Sequence, residues 1–122
     1  MTEWRYEQDG LLIRVSMVGT RALISWRGVS DSAQPAAFID SVNREAAQRL
    51  KDAEVTVDFT RLEYMNSATV GPLLSLIKLL DANGKPVLVL FSTVDWQRTH
   101  LKCMTTIART LKHVRVEGRA VT

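Results

Sequence analysis

A short run of almost wholly apolar residues, PVLVLF at 86–91, constrains the fold of this chain more than any other feature. Such a run is typical of a strand covered on both faces, as strands are in parallel sheets. Segments with helical spacing lie on either side, at 67–82 and 95–111, and strand-like runs are found at 54–59 and 113–116. Strands that alternate with helices predict an α/β fold with a largely parallel sheet.

The first part of the chain has the pattern of antiparallel strands joined by tight turns. Residues 4–7, 11–18 and 21–26 each read as a strand, and Asp9-Gly10, between the first two, is a strong turn signal. We therefore expect an N-terminal hairpin at one end of the sheet. A helix follows, which Asp31 or Ser32 can cap.

Length and composition fit one domain spanning residues 1–122. Cys103 is the sole cysteine, so no disulfide forms within the chain. Neither His100 nor His113 has Cys, Asp or Glu at a metal-binding spacing, so we expect no metal and no cofactor. The charged first ten residues are unlike a signal peptide, and no apolar run reaches the roughly 20 residues that span a bilayer. We therefore expect a cytoplasmic protein.

Charge is distributed unevenly along the chain. Residues 1–60 carry 7 basic and 9 acidic side chains, whereas residues 61–122 carry 9 and 4, within a net charge of +3. A basic half can meet an acidic partner or nucleic acid. Because no aromatic residues interleave with the basic ones, a solvated surface is favoured over a nucleic-acid site.

The segment between Asp58 and Gly71 carries the functional signal. Asp58 closes a strand, and a loop leads to a polar cluster, Asn66, Ser67 and Thr69, at a helix start. A helix start presents unpaired N–H groups and a partial positive charge, so small polar side chains there cap the helix or hold an anion. Chemistry alone favours Ser67 as an N-cap. It favours Asp58 as a strand-end acid that holds backbone N–H groups.

In this segment the sequence resembles the STAS domain family, which includes the anti-sigma-factor antagonists. Residues 65–71, MNSATVG, align with the family pattern hydrophobic-Asp-Ser-(Ser/Ala)-Gly-hydrophobic-Gly. Ser67 matches the phosphoacceptor, and Asp58 matches the acid at the strand end. Asn66 and Thr69 stand where the family has Asp and its first Gly. The order of elements on either side agrees with the family.

The resemblance implies both a fold and a function. The fold is a single-domain STAS-like α/β domain, with a four- to five-stranded mixed sheet and helices packed mainly on one face. The function is that of a non-catalytic regulatory module that binds a regulatory protein. In the family this partner is typically an anti-sigma factor that is also a serine kinase of the histidine-kinase-like ATPase type. Phosphorylation, here at Ser67, releases it.

The candidate partner surface has two parts that this fold places side by side. One is the strand end and loop around Ser67, and the other is the polar loop after residues 86–91. In the second loop, Asp95 is expected to cap a helix, and Trp96 either packs on the core edge or serves as an exposed aromatic anchor. The candidate residues are Asp58, Asn66, Ser67, Ala68, Thr69, Ser92, Thr93, Asp95 and Trp96.

Three other functions are open at the level of sequence. A STAS-like scaffold, or an accessory subunit of a transporter or signalling complex not regulated by phosphorylation, fits the replacements at Asn66 and Thr69. A nucleic-acid binder would use the basic second half. A serine hydrolase is least favoured, because Ser67 lacks a G-x-S-x-G context. The glycine motifs of nucleotide-binding proteins are absent too.

Overall fold

Seven strands and three helices make up the part of the chain that the structure describes. The structure is a computed structural model, and it describes residues 2–93 and 96–120. The elements in chain order are β1 (Thr2–Gln8), β2 (Leu11–Val18), β3 (Arg21–Ser30), α1 (Ala36–Arg49), β4 (Glu54–Asp58), β5 (Leu62–Met65), a 3-10 turn (Ser67–Thr69), α2 (Val70–Ala82), β6 (Val87–Ser92), α3 (Gln97–Ala108) and β7 (Val114–Arg119).

All seven strands belong to one mixed sheet. Its order is β1-β2-β3-β4-β6-β7, and β5 pairs with β3. The first three strands are antiparallel neighbours, as expected for the N-terminal hairpin, whereas β3, β4, β6 and β7 run parallel. The predicted α/β class with a mixed sheet is confirmed.

The predicted count of four to five strands is wrong, since the sheet has seven. One of the additional strands is β5, in a stretch expected to be a loop. It is only four residues long, too short for a clear alternation, yet Leu62 and Met65 are buried and its backbone pairs with residues 28–30 of β3. β4 pairs with residues 21–25 of the same strand. β5 therefore continues in line with β4 along β3.

A glycine in β3 marks the place where this strand changes partners. Gly28 has φ +89°, and a Cβ atom built on it would lie 2.1 Å from the carbonyl oxygen of Gly10. The register of the β3–β5 pair shifts between Gly28 and Val29. Only glycine tolerates both the positive φ and the close approach. Gly28 thus lets the Asp9-Gly10 turn pack on β3 at the point where β4 ends and β5 begins.

The core lies between the sheet and the helices on one of its faces. All three helices contribute to one buried cluster, together with alternate residues of β2, β3, β4 and β6. Its centre is aromatic: the rings of Trp26 and Phe59 meet edge to face at 5.0 Å between centroids, and Phe59 stacks on Phe91 at 5.1 Å. The predicted packing of the helices mainly on one face is confirmed.

The opposite face of the sheet carries no helix in the described ranges. The apolar run 86–91 predicts a strand covered on both faces, but helices cover β6 on one face only. Leu88 and Leu90 alternate with the core residues of β6 and therefore point to this open face. Leu90 is nevertheless only 9% exposed. Its neighbours in register are Asp58 on β4 and Glu117 on β7. Flanking strands, rather than a second layer of helices, shield this side of β6.

The start of α1 differs from the expectation. The helix begins at Ala36, with Pro35 in the N-cap position and no side-chain cap. The predicted cap at Asp31 or Ser32 is wrong, because the Ser32 hydroxyl accepts the N–H of Gln34 at 3.2 Å in the turn before the helix.

Candidate functional site

Three parallel strands end at the same end of the sheet, and the candidate residues gather there. Ser30 closes β3, Asp58 closes β4 and Ser92 closes β6. Parallel pairing brings these carboxyl ends to one side, and β5 runs alongside the last residues of β3 in the same direction. Residues 66–69, called here the Ser67 loop, follow β5 directly and so lie beside Ser30.

Asn66 fixes the start of the Ser67 loop. Its side-chain oxygen accepts hydrogen bonds from the N–H and the hydroxyl of Thr69, at 3.1 and 2.7 Å, and so caps the turn. Its side-chain amide nitrogen donates to the carbonyl oxygen of Ser32 at 2.7 Å. Its backbone N–H donates to the carbonyl oxygen of Ser30 at 2.9 Å. Asn66 thus ties the loop both to the end of β3 and to the segment after it.

Thr69 anchors the loop from the inside. It is fully buried, and its hydroxyl oxygen lies 2.7 Å from that of Ser30. Because the Thr69 hydroxyl donates to Asn66, the Ser30 hydroxyl donates to Thr69, which gives a chain of hydrogen bonds from β3 to the cap. Although Thr69 is a candidate for partner contact, its burial places it behind the surface, as a support for the loop.

Ser67 and Ala68 form the exposed part of the loop. Within the part of the chain that the structure describes, the Ser67 hydroxyl makes no hydrogen bond. The expectation that Ser67 is itself the N-cap is wrong, because Asn66 holds that position. The Ser67 hydroxyl is therefore presented to solvent at the start of a helix, without a structural task that binding or modification would interrupt.

Replacing Asn66 by the Asp of the family pattern is expected to destabilise the protein by about 1 to 2 kcal/mol at neutral pH. Aspartate keeps the capping oxygen, but it loses the donor to Ser32 and sets a carboxylate against that carbonyl oxygen. Denaturant unfolding at pH 7 measures the loss. The loss should shrink as pH falls and the carboxyl group is protonated, since the acid then donates again.

The control for that prediction is Asn66→Ser, which keeps a capping oxygen but has neither the charge nor the amide donor. It should lose stability without the pH dependence. Equal stability of wild type and Asn66→Asp at pH 7 would show that the bond to Ser32 contributes nothing.

Gln97 organises the other half of this end of the sheet, and no sequence pattern predicted this role. This first residue of α3 is buried, and its side-chain oxygen accepts the N–H of Ser92 at 2.6 Å. Its amide nitrogen donates to the carbonyl oxygens of Phe59 and Leu62, at 3.0 and 2.8 Å. One side chain thus joins the end of β6 to the turn between β4 and β5. A glutamine at a helix start is usually exposed, so no pattern could have singled it out.

The candidates of the second loop are less accessible than the Ser67 loop. Ser92 is buried, while Thr93 and Trp96 are half-buried. Trp96 packs against the core, the first of its two predicted roles, and its ring meets that of His100 edge-on at 5.5 Å. Burial lowers the pKa of His100 from its ordinary value, so its imidazole is neutral near pH 7. Asp95 lies outside the described residues.

Asp58 closes the turn between β4 and β5. Its carboxylate accepts the N–H of Thr60 at 2.8 Å and the hydroxyl of Thr60 at 2.6 Å. The expectation of a strand-end acid that holds a backbone N–H is confirmed. The turn matters to the site because it starts β5, which leads into the Ser67 loop.

An exposed aromatic side chain next to the Ser67 loop was missed. Tyr64 of β5 is 50% exposed and stands two residues before Asn66. The sequence does not predict this exposure, because the burial pattern of the four-residue β5 does not alternate. Exposed tyrosines are frequent anchors of protein interfaces. Tyr64 therefore joins Ser67 and Ala68 in the exposed part of the site.

The chemistry of this surface is that of hydroxyl, amide and aromatic groups. Among residues 2–93 and 96–120, no group of three or more His, Cys, Asp or Glu side chains is placed to hold a metal ion. Over the same ranges no helix is long and apolar enough to cross a bilayer. The site offers a contact surface and one unengaged hydroxyl.

Comparison with solved structures gives the fold a name. The structure is similar to that of the anti-sigma factor antagonist SpoIIAA in its unphosphorylated form, with a TM-score of 0.56 over 88% of this chain and 89% of that chain. This chain has the STAS fold. The resemblance seen in residues 65–71 is thereby confirmed for the fold. Sequence identity to SpoIIAA is 14%. No family model matches the sequence, and no curated protein matches it.

Proposed function

We propose that this STAS-fold protein is a non-catalytic regulatory module whose Ser67 loop binds a partner protein and releases it when Ser67 is phosphorylated. The observation that carries the proposal is the Ser67 hydroxyl, exposed at a helix start and unengaged within the described residues. The loop behind it is held by Asn66 and Thr69. A fixed loop with a free hydroxyl at its tip suits modification without refolding.

The physical basis of the switch is a large charge added to a contact surface. A phosphate on Ser67 would bring about −1.5 to −2 charges and three strong acceptor oxygens. The start of a helix favours negative charge, so the fold is expected to survive. A partner surface that is apolar or acidic would meet a charge it cannot desolvate, and affinity would fall.

The two departures from the family pattern are compatible with this switch. Asn66 places a neutral amide beside Ser67 where the family has a carboxylate, so a phosphate there would suffer less repulsion. Asn66 and Thr69 form the hydrogen bonds that fix the loop. Both replacements therefore support the geometry of the loop.

The proposed partner is a regulatory protein of the kind that the antagonist SpoIIAA suggests, an anti-sigma factor. We propose that the same partner, or an associated enzyme, is a serine kinase of the histidine-kinase-like ATPase type. The surface it would contact consists of Tyr64, Ser67 and Ala68, with Thr93 and Trp96 at its margin. The module would act in the cytoplasm.

Phosphorylation of Ser67 is expected to weaken partner binding by at least roughly tenfold. The protein is incubated with the cognate kinase and ATP, the peptide that contains Ser67 is examined by mass spectrometry, and the modified and unmodified forms are compared in a binding assay. Ser67→Asp should also lose the partner, whereas Ser67→Ala should retain it and resist modification.

The matched control is Ser41→Asp, which adds the same charge at an exposed position of α1. It should bind like wild type. Binding that persists on the phosphorylated protein, or the absence of any phosphate on Ser67, would overturn the switch. The second result would favour a STAS scaffold that is not regulated in this way.

A further inference from the structure

β1 leaves one of its edges without a partner strand. It is the first strand in the sheet order and pairs only with β2 in the part of the chain that the structure describes. It is seven residues long, contains no proline and pairs with β2 in an uninterrupted register from Thr2 to Gln8. An edge of this kind is a template for another strand.

The hairpin turn determines which backbone groups face that free edge. Asp9 and Gly10 both have positive φ, 51° and 90°, as in a two-residue type I′ turn closed by Gln8 and Leu11. The closing residues of such a turn exchange both of their backbone hydrogen bonds, and every second pair along the ladder does the same. Residues 8, 6, 4 and 2 therefore bond to β2. The N–H and C=O groups of Glu7, Arg5 and Glu3 point outward.

Two of the charged side chains along this edge have no ion-pair partner among the described residues of one molecule. Arg5 lies directly opposite Arg14 of β2, and like charges in this position destabilise a sheet. Arg14 is compensated by Glu3, whose two carboxylate oxygens it contacts at 3.0 and 3.1 Å. Arg5 and Glu7 have no ion-pair partner among the described residues. A carboxylate from another molecule would form an ion pair with Arg5 and offset its repulsion from Arg14.

We propose that a second copy of this chain supplies it, by antiparallel pairing of β1 with β1 of the other copy. In the register that places Tyr6 on the two-fold axis, Arg5 of each copy lies opposite Glu7 of the other. Glu3 then lies opposite Asp9, which belongs to the turn beyond the end of β1. The backbone N–H and C=O groups of Arg5 and Glu7 point toward the other copy. Each Arg5–Glu7 pair therefore exchanges two backbone hydrogen bonds and also forms an ion pair, and there are two such pairs in the dimer. The two sheets become one continuous sheet.

The neighbouring registers leave Glu7 without a positively charged partner. Centring the pair on Arg5 sets two arginines opposite each other and Glu3 opposite Glu7. Centring it on Trp4 pairs Arg5 with Glu3, which Arg14 already holds. Only the register centred on Tyr6 uses both unpaired charges. It also brings the half-exposed Tyr6 side chains of the two copies together on the helix-bearing face.

This interface is independent of the Ser67 loop. β1 lies two strands away from β3, beside which the loop is held. Dimer formation therefore leaves Ser67 exposed, and failure of either proposal has no bearing on the other.

The test is the molar mass in solution, measured by sedimentation and light scattering from about 10 to 500 µM, a range that suits a small interface. Wild type is expected to shift from monomer to dimer over that range. Arg5→Glu and Glu7→Arg should each weaken the dimer by at least roughly tenfold, because each sets like charges against each other twice. An equimolar mixture of the two variants should recover the dimer, since each Glu at positions 5 and 7 of one variant then faces an Arg of the other.

The doubly exchanged variant R5E/E7R should also dimerise by itself. Arg27→Glu, the same charge change on the open face of the central strand β3, should leave the wild-type behaviour intact. Thermal unfolding of each variant establishes that it is folded. A wild type that stays monomeric throughout, or a dimer that Arg5→Glu leaves unchanged, would overturn the proposal. Two folded variants that do not recover a dimer on mixing would overturn the register.

Discussion

Replacing Phe59 by alanine is expected to lower the free energy of unfolding by about 3 to 5 kcal/mol. Phe59 is fully buried, packs edge to face with Trp26 and stacks on Phe91. Truncation removes both aromatic contacts and leaves a cavity at the centre of the core, where the surrounding strands cannot close in. Denaturant unfolding followed by tryptophan fluorescence measures the loss.

The control is Phe38→Ala, the same truncation at a half-buried position of α1. Because part of that side chain is already in water, it should lose less than half as much stability. Comparable losses for the two variants would mean that the aromatic cluster is not the centre of the core. Since a domain of this kind is stable by about 5 to 15 kcal/mol, Phe59→Ala can leave a substantial fraction unfolded at 37 °C.

Gln97→Leu is expected to cost about 2 to 4 kcal/mol, although it fills nearly the same volume with an apolar side chain. The Ser92 N–H loses the Gln97 acceptor, and the carbonyl oxygen of Leu62 loses its Gln97 donor. The carbonyl oxygen of Phe59 is affected less, because it also accepts the N–H of Leu62 at 3.0 Å. The loss of hydrogen bonds from buried backbone groups is costly, because water does not replace them in the interior.

Thermal and denaturant unfolding measure the effect, with Gln48→Leu at an exposed position of α1 as the matched control. That substitution should change stability by less than about 0.5 kcal/mol. Hydrogen exchange gives a second readout, since the amide of Ser92 should exchange faster in Gln97→Leu. If the two variants are equally stable and exchange alike, the Gln97 amide is not a structural link.

Elements with strong local patterns were predictable from the sequence. The hairpin followed from Asp9-Gly10, and β6 from its continuous apolar run, because turn geometry and burial constrain neighbouring residues directly. β5 was not predictable, because four residues give almost no periodicity and its pairing with β3 depends on a contact more than thirty residues away.

At the site, the position of the Ser67 loop was predictable from the sequence, but the roles of its individual residues were not. A serine, an asparagine and a threonine all cap helices, and the choice of Asn66 over Ser67 depends on Ser30 and Ser32, which are distant in sequence. The burial of Thr69 and Gln97 has the same origin. Long-range contacts decide which member of a polar cluster faces inward, and a single sequence does not contain them.

The length of β3 has a consequence for the position of the loop. Its first five residues pair with β4 and its last three with β5. The number of residues between these two segments therefore determines where the Ser67 loop lies relative to the end of β4. Loss of one residue from the middle of β3 would reverse the direction of every side chain beyond it. Ser30 would then turn away from Thr69, and the Ser67 loop would lose the hydrogen bond between these two hydroxyls. The length of β3 thus determines the position of the proposed contact surface around Ser67.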